Sequence, residues 1–182
     1  MKLSTRLFGK AYRFKSIKDV LARANEARSG DQLAGIAARS EQERVAAKMV
    51  LAELTLRELR ENPVVPYEKD EVTRVIDDAL DPDAYEAIAN KTVGEFREWL
   101  LDDDTSEEQM ARAGRGCTGE IAAAVAKLSS NLDLITLGAK VRVVTKARTT
   151  IGLRGRLSTR LQPNHPRDDP EAIAASIYEG LA

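Results

Sequence analysis

Cysteine, histidine and aromatic residues are all scarce in this sequence. A single cysteine, Cys117, excludes an intrachain disulfide and makes a reducing, cytosolic setting the default. The only histidine, His165, sits in a loop between Asn164 and Pro166, and any Ser-His-Asp, Cys-His or histidine-bearing metal site would have to use it. It reads as an exposed loop residue without a role, and Cys117 reads as a small apolar residue near a helix start. Aromatics make up only 4% of the residues, a balance that favours helix over sheet. No apolar run approaches the length needed to span a bilayer, and the basic stretch from Met1 to Lys10 has no apolar segment behind it, so neither a membrane segment nor a signal peptide is expected. The net charge of −1 carries no message about partners.

What is present favours helix. The 182 residues are 43% hydrophobic and 31% charged, and Ala, Leu and Arg lose little side-chain entropy on helix formation. Residues 1–139 read as a helical region of short, capped segments. Ser16 with Asp19 starts a helix with the stripe Ile17, Val20, Leu21 and Ala24, and Ser29-Gly30 is expected to end it. Ser40/Glu43, Thr55/Glu58 and Thr92/Glu95 have the spacing of capping boxes. Asn62-Pro63, the run Asp102 to Asp104, and Gly114 with Gly116 are breaks. The acidic run reads as a solvated loop rather than a cation site. The helix from Glu120 to Leu128 carries Ile121, Val125 and Leu128 on one face.

The pattern changes near residue 140. Leu157 to Gln162 is the best strand candidate, stopped by Pro163. Asp169-Pro170 has the form of an N-cap followed by proline at the first helical position, and Ile173, Ile177 and Leu181 stripe the helix that follows. One strand and one helix cannot make a parallel sheet, because the strand needs a partner for its backbone groups. The chain therefore reads as incomplete, unless Val141 to Val144 pairs with the strand in a small two-stranded sheet.

Two features of this region bear on binding. From Leu134 to Arg167 there is no acidic residue, while Lys140, Arg142, Lys146, Arg148, Arg154, Arg156, Arg160 and Arg167 supply eight positive charges. Such a tract suits a polyanion or an acidic partner surface, and the lack of interleaved aromatics argues against nucleic acid. Gly152 and Gly155 fit no phosphate-loop spacing. In a strand, Arg160 and Gln162 would face one side and Leu161 the other. A guanidinium beside a carboxamide at the C-terminal end of a strand suits a small polar ligand with a hydroxyl or amine. The same two residues would equally serve as ordinary polar side chains paired with carboxylates elsewhere.

The segments Ser29-Gly30-Asp31-Gln32-Leu33-Ala34-Gly35 and Gln42-Glu43-Arg44-Val45-Ala46-Ala47-Lys48 resemble the N-terminal helical region of the ethanolamine ammonia-lyase heavy chain family. Thr149-Thr150-Ile151-Gly152 and Ser158 to Asn164 are similar to that family's first barrel strand. Arg167-Asp168-Asp169, Ile173-Ala174-Ala175 and Ile177 to Leu181 are similar to the helix after it. The resemblance implies a mainly α N-terminal region followed by the first βα unit of a TIM (β/α)8 barrel, with residues 140–182 as the start of an incomplete barrel. It implies a carbon–nitrogen lyase that converts ethanolamine to acetaldehyde and ammonia by adenosylcobalamin radical chemistry. Arg160 and Gln162 match positions that hydrogen-bond the substrate, and no catalytic residue, cofactor contact or metal ligand is expected in this stretch. The remaining substrate contacts and the cobalamin contacts fall further along the family's chain, the latter shared with a light chain. The resemblance thus implies a portion inactive by itself, ethanolamine and the light chain as partners, and a cytoplasmic or bacterial-microcompartment setting. The alternative is a helical interaction module that uses the basic tract 140–167.

Overall fold

The computed structural model describes residues 1–146, 149–163 and 169–181. His165, with its neighbours Asn164 and Pro166, lies outside the described residues, as do Arg148 and Arg167 of the basic tract. The chain divides into two compact units, Met1–Val141 and Arg142–Ala182.

The first unit opens with strands, which the sequence reading does not anticipate. β1 (Ser4–Leu7) and β2 (Lys10–Arg13) pair antiparallel, with Ser4 opposite Arg13 and Leu7 opposite Lys10. Phe8 and Gly9 make the turn with φ of 48° and 79°, and two positive φ values give a turn whose twist suits a two-residue hairpin. The Phe14 amide donates to the Leu3 carbonyl at 2.9 Å, and Tyr12 and Phe14 bring the hairpin's apolar side into the core.

Helices follow: α1 (Ile17–Arg23), α2 (Ser29–Leu33), α3 (Glu41–Glu53) and α4 (Leu56–Glu61). Ser29-Gly30 does not end the first helix, contrary to expectation. The buried stripe runs out at Ala24, α1 stops at Arg23, and Ser29 instead begins α2. A 3-10 turn at Tyr67–Lys69 leads to α5 (Glu71–Asp78), then α6 (Pro82–Ala89), α7 (Val93–Leu101), α8 (Glu107–Gly114), α9 (Gly119–Leu128) and α10 (Asn131–Lys140). Thr55 and Thr92 each complete a capping box. The two capped starts lie side by side: the Leu56 amide donates to the Lys91 carbonyl and the Val93 amide to the Leu54 carbonyl, at 3.0 and 2.8 Å. Ser40 caps α3 only in part. Its hydroxyl accepts the Glu43 amide, but the Glu43 carboxylate turns to the Arg39 amide at 2.6 Å.

α3 lies at the centre of this unit, against α1, α7 and α9. Leu51, Leu54, Leu56, Leu59, Val93 and Ile121 are all at or below 1% exposure, which makes them the least replaceable part of the core. At Gly116, which is buried, a Cβ would sit 2.4 Å from the Tyr85 amide nitrogen.

In the second unit, β3 (Thr145–Lys146) and β4 (Thr150–Ile151) form a two-residue ladder, with Thr145 opposite Ile151. Gly152, at φ 97°, brings its backbone so close to the Val143 carbonyl that a Cβ would lie 2.0 Å from that oxygen. α11 (Pro170–Leu181) begins as the sequence indicates: the Glu171 amide donates to Asp169 Oδ1 at 3.1 Å, and proline occupies the first helical position. The expected strand at Leu157–Gln162 is a correction, since residues 156–163 have no regular structure. β-propensity alone does not make a strand. A ladder needs a neighbouring backbone with free N–H and C=O groups, and among the described residues none is offered there. The small sheet that does form uses Thr145–Lys146 and Thr150–Ile151 rather than Val141 to Val144. Among the described residues the sheets are two separate two-stranded ladders, and no barrel is closed.

Candidate functional site

Arg160 and Gln162 are both exposed, and no hydrogen bond or ion pair ties either side chain to another described residue. Between them, Leu161 packs on α11. A Cβ built on Gly180 would lie 2.4 Å from Leu161 Cδ1, 3.0 Å from Cδ2 and 3.3 Å from Cγ. The middle residue is thus seated on a helix while its two polar neighbours bond no other described residue. A guanidinium and a carboxamide offer hydrogen bonds to a hydroxyl or an amine lone pair, and the amide oxygen can accept from an ammonium. They do not constitute an acid–base or nucleophilic pair.

The basic tract splits on inspection. The Lys140 ammonium hydrogen-bonds the carbonyls of Leu100 and Asp102 and so closes the C-terminal end of α7. Lys146, Arg154, Arg156 and Arg160 are exposed. The Asp102 carboxylate accepts the Asp104 amide at 2.9 Å, as in a turn. Burial pushes the Cys117 thiol up to about 11, which keeps it protonated and unreactive near neutral pH.

The sequence reading misses one polar cluster. Between α4, α5 and the start of α9 lies a cavity of about 240 Å³, lined in part by Arg60, Asp77 and Glu120. The Arg60 guanidinium lies 4.3 Å from the Tyr85 ring centre and its Nε is 3.6 Å from Asp77 Oδ1. Glu120 accepts the Val64 amide at 2.8 Å, and desolvation holds its carboxyl above the usual glutamate value. The Glu120 bond fastens the turn after α4 to α9. Only spatial proximity joins Arg60, Asp77 and Glu120, 17 to 60 positions apart in sequence, so no local pattern could reveal them.

Compared with known proteins, the chain falls among the large subunits of ammonia lyases. It belongs to the ethanolamine ammonia-lyase large subunit family, whose model (Ethanolamine ammonia lyase large subunit, EutB) matches residues 12–182. The chain is 56% identical over all 182 residues to the ethanolamine ammonia-lyase large subunits of Salmonella typhimurium (strain LT2) and of Escherichia coli (strain K12). It spans 40% of the length of each of these relatives. Among the described residues, no helix is long and apolar enough to cross a membrane.

Proposed function

We propose that this chain is the N-terminal portion of the large subunit of an adenosylcobalamin-dependent ethanolamine ammonia-lyase and that Arg160 and Gln162 bind ethanolamine. The observation that carries this reading is a family match that runs through both residues, at 56% identity over the whole chain. Their chemistry supports it: a fixed cation and an amide, uncommitted to other described residues, suit a small amino alcohol. Residues 140–182 are then the start of a (β/α)8 barrel. The segment 157–162 becomes its first strand once a neighbouring strand offers a ladder, and Arg160 and Gln162 take the ligand-binding C-terminal rim. A small subunit is the partner, and the cytoplasm or a bacterial microcompartment is the setting.

Adenosylcobalamin supplies radical chemistry in such an enzyme. The donors here fit the polar atoms of the substrate: the guanidinium would donate to the hydroxyl, and the carboxamide oxygen would accept from the ammonium. What this chain's residues contribute is orientation, which holds the substrate's polar atoms while chemistry occurs at its carbons.

The test is Arg160→Ala in the full-length large subunit assembled with its small subunit and adenosylcobalamin. Removing a charge-assisted hydrogen bond costs roughly 1.5–3 kcal/mol, or about 10- to 100-fold in kcat/KM for ethanolamine. Unchanged steady-state kinetics would take Arg160 out of the site. The 182-residue chain mixed with the small subunit, cofactor and ethanolamine is expected to give no acetaldehyde above background, because its two candidate ligands lie on an exposed segment without a sheet.

A further inference from the structure

Gly180 lies in the last turn of α11, where a glycine is a poor helix former and its backbone makes no left-handed turn. Its place is explained by what sits on it. The Leu161 side chain occupies the position a Cβ would take, with Cδ1, Cδ2 and Cγ at 2.4, 3.0 and 3.3 Å from it. Ordinary carbon–carbon contact is about 3.5–4.0 Å, so any side chain at 180 displaces Leu161 by about 1 Å. Turning χ2 only exchanges one methyl for the other and leaves Cγ at 3.3 Å, so the side chain must swing about χ1 out of its seat or the segment must lift.

We infer that Gly180 is a positioning residue for substrate binding: it is the socket in which Leu161 seats, and that seat fixes the backbone from which Arg160 and Gln162 project. The inference rests on the reading of Arg160 and Gln162 as the ethanolamine ligands. Leu161 remains 44% exposed, so its contact with α11 holds the segment without burying it. Arg160 and Gln162 are its immediate neighbours on either side. In an extended segment they share the face opposite Leu161, and a lift of Leu161 moves both donors together. The socket acts on geometry and touches no reacting atom.

The experiment compares Gly180→Ala, Leu161→Ala, the double variant and Arg160→Ala in the full-length large subunit assembled with the small subunit and adenosylcobalamin, with ethanolamine as substrate. Gly180→Ala is expected to raise KM by up to about 10-fold, since the roughly 1 Å demanded at the Leu161 methyl reaches the two donors only in part. Its thermal midpoint should hold or rise, since alanine favours the helix. A merely structural glycine would give the opposite pair, an unmoved KM or one that rises only with a lowered midpoint. Because Gly180→Ala already breaks the contact, adding Leu161→Ala should cost little more. Losses that multiply instead would show two independent effects and overturn the socket. If Arg160→Ala raises KM and Gly180→Ala does not, the socket is wrong and the binding site stands. If Arg160→Ala is silent, the site itself is wrong and the socket falls with it.

Discussion

A methyl group at Gly116 would sit 2.4 Å from the Tyr85 amide nitrogen and 2.6 Å from the Ala84 carbonyl carbon and the Tyr85 Cα. Those atoms are the backbone of α6, which has no rotamer to change, so the helix itself would have to shift. Gly116→Ala is expected to cost at least about 1–3 kcal/mol, the usual range for overpacking, read as a lowered urea midpoint at constant m-value. An unmoved midpoint would mean that α6 does not press on Gly116. A second residue reports through its charge. Asp133 meets Arg97 at 2.5 Å and also accepts the Ser130 amide. These bonds, the one from Arg97 foremost, hold its carboxyl at about 2, below the ordinary 3.8. A depressed carboxyl stabilises the fold above about 3.8, and the contribution disappears as pH falls through about 2. Carboxyl NMR titration should place the Asp133 midpoint near 2, and Arg97→Gln should carry it part of the way back while the Ser130 bond remains. A midpoint at the ordinary value in the parent chain would show that Arg97 and Asp133 do not meet in solution.

Elements were legible where their causes are local. Ser16, Ser40, Thr55 and Thr92 start helices because each side chain accepts an amide three residues on, a chemistry confined to one turn. The β1–β2 hairpin escaped because each strand is four residues long and its turn is Phe-Gly, not the Asn-Gly or Asp-Gly that announces such a turn. The expected strand over 157–162 failed for the opposite reason: its residues suit a strand, but pairing depends on a neighbour that composition does not specify. For the candidate site, the sequence marked Arg160 and Gln162 by type and spacing, whereas the seat of Leu161 on Gly180 exists only in three dimensions. α5 shows the same limit. Its apolar stripe of Val72, Val75 and Ile76 would ordinarily mark a core face, yet the three are 65%, 61% and 42% exposed. Val72→Ser with Val75→Ser is therefore expected to move the stability of this chain by no more than about 0.5 kcal/mol per site, in contrast to about 2–5 kcal/mol for Leu59→Ala. Chemical denaturation distinguishes the two, and comparable losses would mean that α5 buries its stripe in solution.

At the scale of the whole molecule, apolar burial is uneven. Every residue of the hydrophobic core lies between Tyr12 and Val125, and the partly buried side chains packed on it lie between Leu3 and Leu128. Among the described residues of the second unit none is buried, and the only ladder joins two residues to two. Since apolar burial is the main favourable term in folding, at roughly 25 cal/mol per Å², the cooperative transition should belong to Met1–Val141. Two measurements follow from this. Amide exchange in the 182-residue chain should be slowest in α3 and α9, and fast through 142–181, where backbone groups open to water without breaking a core. A chain ending at residue 141 should unfold in a single transition within a few degrees of the parent. Loss of that transition, or slow exchange along α11, would show that the second unit contributes to the core. The same distribution bears on the candidate site. Arg160 and Gln162 project from the unit with little burial of its own, so their geometry must come from packing against something else. Within the described residues the fixed point is Gly180, and in a closed barrel the neighbouring strands would add to it. A ligand site built on such a segment should become competent only when those neighbours assemble.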